Sequence, residues 1–291
     1  MAKNFNLRQT AKHCIVAIIC TISFQISAST TIHYFPAEEP KDKYPLELVQ
    51  FLLSKLDKEY NYNAIEFQQM SVNRQISELD SGHISFASFA TNEELEQNLR
   101  PIRIPILKGL LGHRVFIIRD TDQNRFAKIT SLTDLQNLRA GQGRFWADTP
   151  VLKNAGIPTV DPVKYFSLFH MLEGGRFDFF PRAVHEPFSE IATRPELNLA
   201  VENNLMLVYP LPMYLYTSKN NEGLAQDIET AFEMAIADGS FDQWFKAHPL
   251  ILDALGRVNV AKRTVLRIDN PYLPKQTPLD RKELWLDVRS L

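Results

Sequence analysis

Apolar positions along the chain change period repeatedly, and each change predicts an element. Thr31–Phe35 (TIHYF) reads as a first strand, and the polar run 36–43 reads as a loop. From Tyr44 to Tyr60 the apolar residues Leu46, Val49, Leu53, Leu56 and Tyr60 recur at steps of three and four, which predicts one amphipathic helix. A second strand is expected over Ala64–Phe67 and a short helix over Asn73–Leu79. Gly82 follows that helix where a left-handed residue is wanted. Ile84–Phe89 (ISFASF), Ile102–Leu107 and Arg114–Arg119 (RVFIIR) read as extended. Ser131 to Asp134 has the spacing of a capping box, so a helix starts there. Leu138–Gly141 is a strand and Gln142–Thr149 a loop. Asp148 or Thr149 caps a helix with Pro150 in its first turn and Gly156 at its end. A strand ends at Val160, and Asp161-Pro162 opens a helix that runs to Glu173. Phe177–Phe180 is a strand and His185–Thr193 a helix. Leu205–Tyr209 and Leu215–Thr217 are strands. Glu222–Ala237 is a long helix with Leu224, Ile228, Phe232 and Ile236 on one face. Phe241–Phe245 adds a further helical turn. From Asn270 prolines recur, and the segment reads as an extended tail lying on the body, anchored by Trp285. Strands alternating with helices predict an α/β fold with largely parallel sheets.

The first 28 residues follow a different pattern. Lys3, Arg8 and Lys12 are their only charges, Cys14–Phe24 is apolar, and Ile26-Ser27-Ala28 ends in small residues. Basic head, short apolar middle and small-residue end are the parts of a secretory signal peptide, with cleavage near Ala28. The apolar run falls short of the roughly 20 residues of a spanning helix. Both cysteines, Cys14 and Cys20, lie in this segment, so the mature chain has no disulfide and no thiolate ligand. Cys20 lacks a small residue before it, which argues against a lipoprotein. The expected product is therefore periplasmic and free of a membrane anchor.

Composition narrows the function. The chain has 291 residues, 45% hydrophobic and 23% charged, a globular balance. Removing the three leader cations from the 32 basic residues leaves 29 against 34 acids, a formal charge of −5. An acidic chain of this kind is a poor partner for nucleic acid or an anionic membrane. The seven histidines do not cluster, and neither a His-Glu-x-x-His nor a Gly-x-Ser-x-Gly spacing occurs. No metal, no cofactor and no catalytic residue is expected.

Several stretches, taken in order, resemble the family 3 periplasmic solute-binding proteins. Tyr44–Tyr60 fits that family's first long helix. Leu79-Asp80-Ser81-Gly82-His83-Ile84 fits its leucine-x-x-glycine turn into the third strand. Thr91–Leu107 followed by Gly112-His113-Arg114-Val115 fits the run into a hinge strand. Ser131–Gly141 (SLTDLQNLRAG) fits the opening of a second lobe. Met171–Asp178 (MLEGGRFD) is the most specific, and Gly239 with Phe241 and Trp244 fits the return to the first lobe. The likeness spans about residues 30–250. It implies a type II periplasmic binding-protein fold, two Rossmann-like α/β lobes joined by two hinge strands. Lobe 1 would comprise residues 29–113 plus 215–291 and lobe 2 residues 114–214. A monomer that closes like a flytrap on a small polar ligand is implied, working for an ABC-type permease. Two alternatives remain, a binding module for a membrane sensor and a dehydratase-like enzyme on the same fold.

Ligands of open α/β sheets sit beyond the carboxyl ends of strands. That rule, with the resemblance, selects Phe35, Ser88, Phe89, Thr91, Glu94, Arg144, Trp146, Thr149, Arg182 and Glu186. Amino-acid-binding members of the family carry an arginine shortly after the third strand, and Glu94 occupies that position here. They place an acid after a second-lobe strand, where this chain reads Pro181-Arg182-Ala183. Both charges are exchanged, so a ligand other than a standard α-amino acid is expected. Arg182 follows an apolar strand and should reach the cleft mouth, where its planar fork suits a carboxylate or phosphate. A salt bridge to Glu186, one turn on, is the competing reading. Arg144 flanks a helix start whose free N–H groups suit an anion. Trp146 either stacks on ligand or packs, and Phe35 and Phe89 favour the core.

Overall fold

The structure is a computed structural model, and it describes Met1 and residues 29–37, 39–66 and 71–287. The leader segment expected over residues 1–28 lies, Met1 apart, outside the described residues, as does Phe67.

The fold is α/β, with twelve strands and eleven α-helices among the described residues. The strands are β1 (Thr30–Tyr34), β2 (Tyr60–Ala64), β3 (Ala87–Ala90), β4 (Arg100–Ile102), β5 (His113–Arg119) and β6 (Ala140–Gly141), followed by β7 (Thr159–Val160), β8 (Phe180–Ala183), β9 (Leu199–Val201), β10 (Leu205–Val208), β11 (Met213–Thr217) and β12 (Thr264–Arg267). Four sheets result. β1 pairs with β2 and β6 with β7, both in parallel. β11 lies between β3 and β4. The largest sheet runs β12-β10-β5-β8, with β9 also on β5.

Sheets are less parallel than the alternation of elements suggests. β11 runs antiparallel to β3 and β4, and β5 antiparallel to β8, β9 and β10. The reason is that β5 and β11 lie in the middle of their sheets, and each is bordered by strands running the other way. Just before β5 the chain passes very close to the segment after β10. Tyr209 N–H donates to the Gly112 carbonyl at 3.0 Å. A Cβ on Gly112 would stand 1.9 Å from the Tyr209 carbonyl oxygen, so only glycine fits.

Several boundaries differ from the periodic reading. The first helix is Pro40–Leu53, not Tyr44–Tyr60. It starts early, inside the segment expected to be loop, with a proline at its first turn, a position that tolerates a missing amide. It stops at Ser54, and the alternating Tyr60-Asn61-Tyr62-Asn63 then enters β2 beside β1. Its face still packs as expected: Leu48, Val49, Leu52 and Leu53 are buried against the Glu222–Ala237 helix and its surroundings. The capping box forms, with Ser131 accepting from Asp134 N–H and the Asp134 carboxylate accepting from Ser131 N–H. The strand expected at Phe177–Phe180 sits at Phe180–Ala183 instead, a shift that matters for the site. The helix Glu93–Asn98, begun by the Asn92 side chain accepting from Leu95 N–H, was not expected, nor were β9, β12 and the helix Pro249–Val258.

A continuous core runs from Ile32 to Leu284. The tail after Asn270 lies on it, but as a series of turns ending in the 3-10 helix Lys282–Leu284 instead of the extended segment expected. Leu284 is fully buried, Leu286 N–H donates to the Lys108 carbonyl at 2.8 Å, and Trp285 Nε1 donates to the Pro278 carbonyl at 2.8 Å. The Trp285 ring covers Gly109, whose φ of +82° and missing side chain permit the contact.

Candidate functional site

A cavity of about 1020 Å³ opens among segments far apart in sequence. One side is built by the helix Val72–Asp80, the end of β3 and the helix Glu93–Asn98. The other is built by Arg114 at the start of β5, the 144–148 loop, Arg182 on β8 and Glu186. Met213, Pro271 and Tyr272 complete the lining.

Seven of the ten residues selected from sequence line this cavity: Ser88, Phe89, Glu94, Arg144, Trp146, Arg182 and Glu186. Three do not. Phe35 sits edge-on to His83 with centroids 6.5 Å apart, at the margin of a separate core cluster. Thr91 is buried, donating to Glu96 at 2.7 Å and accepting from the Tyr216 hydroxyl at 2.8 Å. Thr149 is buried and donates to the Gly143 carbonyl at 2.6 Å, which closes its own loop. Both threonine hydroxyls are satisfied within the fold, which is the usual fate of a buried hydroxyl. Phe89 is buried against Tyr216, as expected of a core aromatic, while also facing the cavity.

Arg182 corrects the expectation most sharply. It lies within β8, opposite Val115, not beyond a strand end. Only 4% of it is exposed. Its Nε donates to Glu190 at 2.8 Å and its Nη2 to the other Glu190 oxygen at 2.6 Å, a bidentate pair. Nη2 also stands 2.8 Å from Glu186. The guanidinium therefore meets two carboxylates before any ligand arrives, and the salt-bridge alternative is realised along with a stronger one. Glu190 is fully buried and also accepts from Lys41 at 2.9 Å and from the Tyr165 hydroxyl at 2.6 Å. Burial alone would raise its pKa, but Arg182 and Lys41 override that and hold the carboxyl well below its ordinary range. Lys41 is raised above its ordinary value despite burial, by Glu190 first and Tyr165 next.

A second buried pair lies beside the first. Arg114 Nη2 donates to Asp148 at 2.6 Å and its Nε to the Tyr209 hydroxyl at 3.0 Å, while that hydroxyl donates to Asp148 at 2.8 Å. Glu186 joins the two pairs. Its Oε2 accepts from Ala183 N–H at 2.7 Å and lies 3.5 Å from Arg114 Nη1. Asp148 does stand at the helix start, but its carboxylate is held by Arg114 and makes no cap hydrogen bond. Beside this network His185 is half-buried with its Nδ1 enclosed and unpartnered. Desolvation pushes its pKa down to about 4, against an opposing pull from Glu186.

Trp146 both packs and faces the cavity. Its ring stacks on Phe180 at 6.0 Å with 19° between planes, and the Arg182 guanidinium lies 4.9 Å from its centroid. Its ring also covers Gly143 so closely that a Cβ there would clash. Arg144 extends to Asp161, donating from Nε to its carbonyl at 3.0 Å. Phe145, next in the loop, is 58% exposed on the cavity wall.

The residues missed in sequence are Arg114, Glu190, Lys41 and Tyr272, while Phe145 lies in the loop Gly141–Thr149 that the strand-end rule selected. An arginine at the head of an apolar strand hints at a buried partner, which is the one signal Arg114 offered. Lys41 and Tyr272 carry no local signal, because Lys41 meets Glu190 from 149 residues away and Tyr272 comes from the tail, while Glu190 has Arg182 only eight residues before it but nothing to mark it as buried. Among the described residues, no group of three or more His, Cys, Asp or Glu stands together as metal ligands do, and no helix is long and apolar enough to cross a membrane.

No family model matches the chain, and no curated protein does. Solved structures do. An ancestral arginine-binding protein bound to arginine is similar with a TM-score of 0.52 and 18% identity, over 74% of this chain and 96% of that one. A Salmonella typhimurium periplasmic binding protein with high arginine specificity is similar with a TM-score of 0.52 and 15% identity, over 75% and 98%. A mutant ArgBP from T. maritima gives a TM-score of 0.50 at 16% identity, over 79% and 96%. At these identities the likeness establishes the fold, and the chain has the type II periplasmic binding-protein fold expected from its sequence.

Proposed function

We propose that this chain is a non-catalytic periplasmic substrate-binding protein that captures one small polar ligand and presents it to an ABC-type permease. Its leader would be residues 1–28, its first lobe residues 29–113 with 215–291, and its second lobe residues 114–214. The observation that carries this reading is the cavity itself, which collects residues from both proposed lobes around a space the size of a small-molecule site. The fold shared with arginine-binding proteins supports it. The crossing at Gly112 and Tyr209 supplies the hinge, since closure of such proteins turns on a few residues between lobes. Lys41, from the first lobe, reaches Glu190, in the second, and this ion pair favours the closed arrangement.

Similar solved proteins bind arginine, an α-amino acid. In this chain Glu94 stands where the family's carboxylate-binding arginine falls, and Arg182 and Arg114 already hold carboxylates of the protein. We therefore read the ligand as something other than a standard α-amino acid.

The test is thermal unfolding of the purified protein against amino acids, polyamines, small carboxylates and phosphate esters. A ligand at a hundred times its dissociation constant should add about 2.7 kcal/mol of apparent stability. Recovery of the stabilising compound unchanged after incubation is expected. Its conversion to product would instead make the chain an enzyme.

A further inference from the structure

We infer that the ligand is an organic cation that lacks a carboxylate, an alkylammonium or guanidinium compound, held by Glu93 and Glu94 and enclosed by Phe145 and Tyr272. This deepens the binding reading above and rests on it.

The charges of the cavity lead there. Two of its three arginines are buried in ion pairs and the third is half exposed beside Asp161. Arg182 makes a bidentate pair with Glu190, Arg114 is held by Asp148, and Arg144 lies along Asp161. Binding a ligand carboxylate at Arg182 or Arg114 would mean breaking a buried ion pair, which is strongly unfavourable. The carboxylates are a different matter. Glu93 and Glu94 are exposed on the cavity wall, and among the described residues neither side chain makes a hydrogen bond or ion pair. The neighbouring Glu96, by contrast, is taken up by Arg103 and Thr91. Arg144 apart, whose half-exposed guanidinium is drawn along Asp161, the free charge offered to a ligand is therefore negative.

Aromatic faces supply a second, independent observation. Phe145 and Tyr272 are 58% and 44% exposed, and both line the same cavity. Large rings standing open in a polar cleft match the enclosure of a cation, which binds against ring faces. Met213, Leu111 and Phe89 add apolar lining suited to an alkyl chain. Tyr272 comes from the proline-rich tail, which this assigns a part in the site.

The experiment is isothermal titration of the purified protein, unfolded and refolded to strip any carried ligand, with putrescine, agmatine, arginine and glutamate. Agmatine differs from arginine only by the missing carboxylate. Agmatine or putrescine should bind at least about tenfold more tightly than arginine, and glutamate should not bind. The double variant Glu93→Gln/Glu94→Gln should weaken cation binding by about tenfold or more, the scale of one lost charged contact. Tyr272→Ala should weaken it several-fold, with an unchanged melting temperature. Glutamate or arginine binding more tightly than agmatine would overturn this inference and leave the binding reading standing. So would cation binding untouched by the double variant. If no compound, in this set or in the wider thermal panel, binds at all, the binding reading falls and this inference with it.

Discussion

Two walls face each other across the cavity, and they treat charge in opposite ways. On the side of Arg114, Arg182 and Glu190 those three charged groups are buried and already paired, and only Arg144 at the loop edge is exposed. On the side of the Glu93–Asn98 helix the charges are exposed, and Glu93 and Glu94 are unpaired. The same residue types thus carry different work. In the first wall the ions hold three distant segments together, because a buried charge is tolerated only with its partners in place. In the second they remain available. An arginine in a cleft is therefore not by itself a ligand-binding arginine, and its partners decide.

The contrast can be broken most forcefully at Glu190. Glu190→Gln leaves Arg182 and Lys41 buried beside a neutral amide. About 3–5 kcal/mol of stability should be lost in denaturant unfolding, the usual cost of opening a buried pair. Replacing Arg182 and Glu190 together by methionine should cost less, since the buried guanidinium leaves with its carboxylate and Lys41 keeps Glu39 at 3.0 Å. A Glu190→Gln variant as stable as the parent would show the first wall to be open to water.

Gly112, at its close approach to Tyr209, comes next. Gly112→Ala sets a methyl 1.9 Å from the Tyr209 carbonyl oxygen. The strands must part, at about 1–3 kcal/mol, a typical overpacking cost. Ligand affinity should fall with it if this crossing is the hinge, which titration of the variant reads directly.

The pH dependence sharpens the comparison further. The native pKa of His185 lies at about 4 against an ordinary 6.5. Between those values the unfolded chain binds the proton and the native chain does not, so stability rises with pH through this window. The ring is only half-buried, so about 1–2 kcal/mol is expected instead of the full shift. His185→Gln should flatten the profile between pH 4 and 6.5. Glu190 acts lower. With its native pKa depressed, its contribution is complete above the ordinary carboxylate range and is lost as pH falls below it. Unfolding by acid, followed by circular dichroism, checks both windows.

The smallest effect belongs to the second wall. Glu93→Gln/Glu94→Gln should change stability by no more than about 0.5 kcal/mol, as surface substitutions do. A large loss would mean that these carboxylates have structural partners, and the asymmetry between the walls would disappear.

Much of this molecule was legible along the chain. The period-three-and-four face of the first helix, the capping box at Ser131, the long helix Glu222–Ala237 and the alternation of most strands and helices were readable, because each depends on neighbours within a few turns. The anchoring role of Trp285 was readable too, as a lone large aromatic in a proline-rich tail. Boundaries were less so. Tyr60 fits the helical period and the strand alternation equally, and only pairing with Thr30 chose the strand. The three-residue shift of β8 had a large consequence, turning Arg182 from a residue at a cleft mouth into one inside a sheet.

The sequence by itself determined the α/β class, the family likeness and the loop that carries Arg144, Phe145 and Trp146. These follow from local periodicity, turn residues and the order of short motifs. Tertiary structure alone decided which charges are free. Arg182 and Glu190 are eight residues apart, but Lys41 reaches them from 149 positions away along the chain and Tyr272 reaches the cavity from the far tail. Whether a side chain meets a ligand or a partner depends on what the folded chain brings within a few ångströms, and Coulomb attraction at that range has no signature in sequence spacing.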